Sequence, residues 1–322
     1  MSPAQRFTIL ITGCSPGGMG AVLAVAFHKS GHHVFATARN SSKLQALSEQ
    51  GIETLPLDIA SSASIESAVS AVTAALPPSK GLDILINNAA ANYTMPVADV
   101  SLPAARELFD VNVWAQIAVT QAFLPLILRS TNNPDPKFQP IIANHTSVGS
   151  VTALPFQGIY NASKAALAML TSTLRMELAP FDIRVVDLKT AGVKTNLIAN
   201  SNFNRGTTTT NPTTTINDPQ PSGDRLPPHS IFPPSTRPSV EHMMSQANLI
   251  ERGVSPEEWA ADVVALLLQP SGPPAEIWKG ESAALARMAA AVPCGLAESV
   301  VKRVTGLGVV EGEVRRARGV VN

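Results

Sequence analysis

Cysteine is nearly absent: only Cys14 and Cys294 occur among 322 residues. Two thiols build neither a disulfide framework nor a zinc site, and they fit a reducing compartment. An excess of either charge is also missing, because 24 lysines and arginines balance 24 aspartates and glutamates. No global field therefore draws the chain to nucleic acid, and no such partner is expected. No apolar run reaches the roughly 18 residues of a membrane-spanning helix. The N-terminal MSPAQRFTILITG enters a strand-like run almost at once, which leaves no room for a signal peptide. A cytoplasmic protein is expected.

What is present is a core. Apolar residues make up 45% of the chain, enough for one large domain over 1–322 rather than two independent folds. Short apolar runs alternate with amphipathic stretches. FTILIT (7–12), HHVFATA (32–38), IETLPLD (52–58), LDILINN (82–88), PIIANHT (140–146) and DIRVVDLKT (182–190) read as strands. Helices are expected at 21–30, 43–50, 62–76, 104–129 and 159–178, with Pro125 kinking the fourth. Near-continuous Val/Ile/Leu strands, each followed by a helix, indicate a parallel sheet covered on both faces. The fold class expected is α/β, a Rossmann-type doubly wound sheet of about seven strands.

Within that domain, 1–198 would be the core and 199–240 an insertion. The insertion is rich in Thr, Pro and Ser, and its prolines argue against any regular helix there. It is either a flexible surface segment or a lid beside the site. A helix at SPEEWAADVVALLLQ, with Ser255 as N-cap and Glu258 at the capping-box position, and a strand at AEIWKG occupy 241–280. Residues 281–322 form a helical extension. Its basic amphipathic character suits a helix packed on its own domain or on a second copy. Peripheral contact with a membrane or lipid droplet is the alternative.

TGCSPGGMG lies between the first strand and the first helix. Such a turn sets backbone N–H groups and a helix N-terminus against a pyrophosphate, and glycine lets the backbone come close. Gly13, Ser15, Gly18, Met19 and Gly20 are the candidate contacts. The second strand ends in FATARN, with Ala38 where an NAD enzyme carries an acid and Arg39 next to it. An arginine without a competing carboxylate favours a 2′-phosphate, hence NADPH/NADP. Asp58 either receives the adenine or caps the next helix. Asn87 and Asn88 end the fourth strand, on the edge where open α/β sheets bind ligands.

Tyr160 and Lys164 form Y-x-x-x-K on one helix face. A cation there would lower the phenol below its usual value of about 10. Ser147 ends the fifth strand and could hydrogen-bond the same substrate oxygen. Asn112, polar amid FDVNVWA, is either an element of a proton relay through water or a structural hydrogen bond.

With these motifs in order, the chain resembles the short-chain dehydrogenase/reductase family from residue 7 to about 197. The resemblance implies that TGxxxGxG binds pyrophosphate and that Asn112, Ser147, Tyr160 and Lys164 form a catalytic tetrad. AGVKT, in place of the family's PG…T, implies nicotinamide contacts from the Val193 backbone and the Thr195 side chain. Three departures stand out: one extra residue in the glycine turn, NNAA for NNAG with Ala90 in place of glycine, and Ala191 in place of proline. TGCSPGGMG, IYNASKAAL and IWKGESAALARM are most similar to fungal reductases around 1-acyldihydroxyacetone-phosphate reductase. The implied activity is NADPH-dependent reduction of a ketone or aldehyde, reversible as alcohol oxidation, by a homodimer or homotetramer. A redox-neutral or isomerising enzyme on the same fold, or a non-catalytic NADP-binding regulator, remains the alternative.

Overall fold

The computed structural model describes residues 6–131, 138–196, 225–292 and 294–320. The strands are β1 (Thr8–Ile11), β2 (His33–Ala38), β3 (Glu53–Pro56), β4 (Ile84–Asn87), β5 (Ile141–His145), β6 (Arg184–Thr190) and β7 (Glu276–Lys279). They form one sheet in the order β3-β2-β1-β4-β5-β6-β7, and every neighbouring pair is parallel. In β1 the alternation of a pleated strand sends Ile9 and Ile11 to one face and Leu10 to the other. Both faces are buried, so the strand has no polar side and reads as an unbroken apolar run.

Helices α1 (Met19–Lys29), α2 (Gln45–Ser48) and α3 (Ser62–Ala75) follow the first three strands. After β4 come α4 (Leu102–Phe109) and α5 (Ala115–Ser130), and after β5 comes α6 (Gly158–Leu178). Beyond β6 the described chain forms α7 (Arg237–Met244), α8 (Ala247–Arg252) and α9 (Pro256–Leu267). After β7 it continues as α10 (Ala283–Ala289), α11 (Cys294–Thr305) and α12 (Leu307–Ala317). Phe27 of α1 and Trp259 and Val263 of α9 cover the Ile9 face. Val72 of α3 and Val119 and Phe123 of α5 cover the Leu10 face. Ser255 caps α9, accepting the Glu258 N–H at 3.1 Å.

Four expectations need correction. The helix expected over 104–129 is interrupted at Asp110–Trp114 by a π-helical turn; α5 continues past Pro125 to Ser130. The helix expected over 43–50 is a 3₁₀ turn (Ser41–Leu44) followed by the single turn α2. Residues 199–224 lie outside the described chain, but the end of the expected insertion is helical. Pro238 stands in the first turn of α7, where its missing N–H would have no partner anyway. Finally, Leu102–Ser130 is long and apolar enough to span a membrane by length and composition. Its buried residues, including Leu108, Phe123 and Ile127, belong to the protein core.

Candidate active site

Strand order reverses between β1 and β4, so their loops diverge and leave a crevice at the carboxyl edge. The glycine turn sits there. Gly13 has φ +75°, and a Cβ on it would come within 2.7 Å of the Ala89 backbone. A Cβ on Gly20 would lie 2.5 Å from Asn88 Nδ2 and 2.6 Å from the Gly13 carbonyl. Gly17, which the sequence motif leaves without a role, has φ +71° and lies under the Asn196 side chain. The extra residue of the turn is thus accommodated by a second left-handed glycine. Gly18 is the N-cap of α1, with no side-chain cap and no acid in the first turn. The orphan N–H groups at that helix start suit an anionic diphosphate. Ser15 accepts the Gly18 N–H through its carbonyl at 3.1 Å, while Met19 packs partly on the core. Cys14 is buried, its thiol pushed up to about 12 by burial, and is chemically inert.

At the other end of this crevice, Ala38 is buried and Arg39 is exposed directly beyond β2. Asp58 accepts the Ala60 N–H at 3.1 Å in a tight turn. The cap of α3 is Ser61, not Asp58. Asn88 donates through Nδ2 to the Thr12 and Gly13 carbonyls at 2.7 and 3.1 Å, stitching β4 to β1. Asn87 does not reach the crevice; it donates to Thr120 and Asn144 inside the core.

His145, a residue the sequence reading passed over, completes this floor. Because Asn88 Nδ2 is occupied by two carbonyls, its Oδ1 faces His145 Nδ1 at 2.9 Å. Nδ1 must then carry the proton, and Nε2 accepts from the Thr190 hydroxyl at 2.7 Å. The ring stacks on Trp259, centroids 5.3 Å apart and planes 14° from parallel. Burial first, and the Lys164 charge second, push its pKa down to about 3. It is a neutral brace between the β4 and β6 loops. The polar run NHTS at the end of a buried strand was the signal available for it.

Asn112 lies in the π-helical turn and is fully buried. Its amide exchanges two hydrogen bonds with the Ala91 backbone, each 2.9 Å long. Nδ2 also donates to Ser163 Oγ at 3.1 Å, and that hydroxyl donates to the Tyr160 carbonyl at 2.7 Å. Gln116, also unremarked in the sequence, donates to the Ala89 and Val111 carbonyls. Together these two amides anchor the NNAA loop to the helix.

Tyr160 and Lys164 sit one turn apart on α6 and are both buried. The Lys164 ammonium lies 5.8 Å from the Tyr160 ring centroid and donates to the His145 carbonyl at 2.8 Å. Burial pushes Lys164 down to about 8, opposed by the Asp187 carboxylate. Asp187 is itself paired with Lys189 and accepts from the Thr146 hydroxyl. Tyr160 is not lowered as its spacing to Lys164 suggested. Burial pushes the phenol up to about 12, with a Ser147 hydrogen bond acting the other way. Ser147 caps the short 3₁₀ turn after β5, its Oγ accepting the Gly149 N–H at 3.1 Å.

Val193 is buried after β6 and pairs with Val254. Thr195 follows it, and the Asn196 N–H donates to the Gly17 carbonyl at 3.0 Å. The segment expected at the nicotinamide therefore meets the glycine turn. The structure brings Gly13, Asn88, Val193, Ser147, Tyr160 and Lys164 to the carboxyl edge of the sheet, with Arg39 and Asp58 along it.

The short chain dehydrogenase family model matches residues 7–206. A short-chain dehydrogenase/reductase of Pestalotiopsis microspora is 44% identical over 98% of this chain and 99% of its own. The NADPH-dependent 1-acyldihydroxyacetone phosphate reductase of Schizosaccharomyces pombe is 31% identical over 94% of this chain and 95% of its own. Among solved structures, a short-chain dehydrogenase from Streptomyces avermitilis superposes with a TM-score of 0.67 at 23% identity, covering 97% of this chain and 98% of that one. An NADPH-bound carbonyl reductase from chicken fatty liver gives 0.55 at 27% identity, over 60% and 82% of the two chains. The chain belongs to the short-chain dehydrogenase family of oxidoreductases.

Proposed function

We propose that this chain is an NADPH-dependent reductase of a ketone or aldehyde, with Tyr160 as the general acid and, in the reverse direction, the general base. The observation that carries this reading is the buried pair at the carboxyl edge: the Tyr160 phenol with the Lys164 ammonium one turn along α6, 5.8 Å from its ring centroid, beside Ser147 at the end of β5. A phenol near 12 stays protonated at neutral pH and holds the proton that a carbonyl oxygen will need. Ser147 and Tyr160 would both donate to that oxygen and orient it. As the proton leaves Tyr160, the Lys164 cation lowers the energy of the phenolate left behind.

The uncapped start of α1 and the close-packed Gly13 and Gly20 fit a dinucleotide pyrophosphate. Arg39, exposed beyond β2, offers its guanidinium to a 2′-phosphate. The Schizosaccharomyces pombe relative and the chicken carbonyl reductase, both described as NADPH proteins, support the same choice. When bound, the cofactor would supply hydride to the carbonyl carbon. Asn112 acts as a positioning residue, holding the Tyr160 turn through Ser163.

The test is NADPH oxidation across a carbonyl panel with Tyr160→Phe. Loss of turnover with cofactor binding retained is expected. Undiminished turnover in the variant would overturn the assignment.

A further inference from the structure

Strand β6 carries two charges where a buried strand has little use for them. Val186 and Leu188 join the cluster on the Ile9 face and Val185 that on the Leu10 face, so by alternation Asp187 and Lys189 share the Leu10 face with Val185. Both are buried, Asp187 completely. Helix α6 lies over this stretch, where its Arg175 donates to the Val185 and Ala275 carbonyls at 2.7 and 2.9 Å. Asp187 accepts the Thr146 hydroxyl through one oxygen and the Lys189 ammonium through the other. Lys189 also lies 3.6 Å from the exposed Glu276 carboxylate and 5.5 Å from the centre of the Trp278 ring. The peptide joining His145 to Thr146 connects this pair to α6. Its carbonyl accepts the Lys164 ammonium at 2.8 Å, and Thr146 itself donates to Asp187. Charges thus alternate from Tyr160 towards the sheet edge: Lys164, Asp187, Lys189, Glu276. Of the other ionisable neighbours of Lys164, His145 is held neutral and Tyr160 keeps its proton.

We propose that Asp187 is a positioning residue of the reductase reaction: its carboxylate holds the Lys164 ammonium charged beside Tyr160, and Lys189 is the counter-ion that lets this carboxylate stay inside the sheet. The catalytic part rests on the reductase reading above, whereas the electrostatic part is readable without turnover. Stability alone does not account for the pair, since two apolar residues of similar size would fill a buried strand at least as well as two desolvated charges. Burial by itself drives Lys164 towards the neutral amine, and an amine does not stabilise a phenolate. Asp187 opposes that drift, and where water is excluded its charge is little screened. Thr146 and Lys189 bind one oxygen each, which fixes the carboxylate next to the peptide that Lys164 grips.

The experiment compares the full-length protein with Asp187→Asn/Lys189→Met, which removes both charges together and leaves neither unpaired in the sheet. Asp187→Thr/Lys189→Val, built from residues suited to a strand, is the second variant if the first does not fold. Tm is measured without ligand from about pH 6 to 9, and again with Lys164→Met added to each protein. Without Asp187, Lys164 should release its proton about one pH unit or more below its value near 8. The folded chain then gives up the proton earlier while the unfolded chain keeps it. The variant should therefore gain Tm relative to the unaltered protein between about pH 6.5 and 8, and Lys164→Met should abolish that gain. The fall of kcat/KM with rising pH, read as NADPH oxidation across the carbonyl panel, should move down by the same interval. A pair that only fills the sheet would lower Tm equally at every pH and in both backgrounds. That result overturns the proposal, as does a kcat/KM profile that stays in place. A shifted Tm window in a protein that turns over no carbonyl supports the hold of Asp187 on Lys164 and overturns the reductase reading instead.

Discussion

Lys164 donates its ammonium to the backbone carbonyl of His145 at 2.8 Å. A buried cation is thereby fastened to the strand whose imidazole bridges Asn88 and Thr190 across the crevice. The arrangement leaves two buried groups with displaced titrations, on opposite sides of neutrality.

The ammonium of Lys164 sits near 8 in the folded chain, against an ordinary 10.5. Between those values the unfolded chain holds a proton that the folded chain has released, so stability from this group rises with pH across that window. Lys164→Met removes the buried charge and with it this rise. In thermal melts from about pH 7 to 10 the unaltered protein should gain Tm relative to the variant, which is inactive throughout. A constant difference would mean that the lysine is not titrating as its burial dictates.

For His145 the window is acidic. Its folded value near 3 lies below the ordinary 6.5. As pH falls through that range the unfolded chain takes up a proton that the folded chain refuses, and stability is lost. His145→Gln should lose less Tm than the unaltered protein between about pH 6.5 and 4. Equal losses would show that the acid sensitivity arises elsewhere.

Removing only the hydroxyl of Tyr160 leaves its apolar contacts with Tyr93 and Met95 in place. Tyr160→Phe should therefore melt within a few degrees of the unaltered protein while kcat falls by about two to four orders of magnitude. Steady-state NADPH oxidation together with calorimetry reads both. A large drop in Tm would recast the hydroxyl as structural.

Arg39 is exposed, and among the described residues it makes no ion pair. A charge-assisted contact to a 2′-phosphate amounts to roughly 10- to 100-fold in Kd. Arg39→Asp should weaken NADPH by about that factor and leave NADH within about threefold. Fluorescence titration of both cofactors decides it, and equal losses would remove Arg39 from cofactor choice.

The central strands β1 and β4 were legible because both of their faces are buried, which favours apolar side chains along the whole run, whereas the edge strands β3 and β7 are only partly buried. The glycine turn and Y-x-x-x-K were legible because local spacing suffices to define them. What escaped depends on contacts far along the chain. Asn112 finds Ala91, 21 residues away, and nothing local in DVNVW marks the π-helical turn that points it there. His145 meets Asn88 and Thr190, 57 and 45 residues distant, so its role emerges only when β4, β5 and β6 lie side by side. The raised phenol of Tyr160 has the same origin: spacing reveals the neighbouring cation, but burial is a property of the assembled fold. The amphipathic pattern of α12 announced a buried face without naming what it would cover.

The π-helical turn at Asp110–Trp114 also makes segment length a constraint in its own right. Such a turn holds one residue more than a regular spiral, and each residue advances a helix by about 100°. Deleting any one residue there other than Asn112 would let α4 and α5 anneal into a single even rod, swinging α4 round by that angle relative to α5. Asn112 would leave Ala91 and Ser163 even though its own side chain survived. In this segment the number of residues is therefore as much a structural requirement as the identity of Asn112.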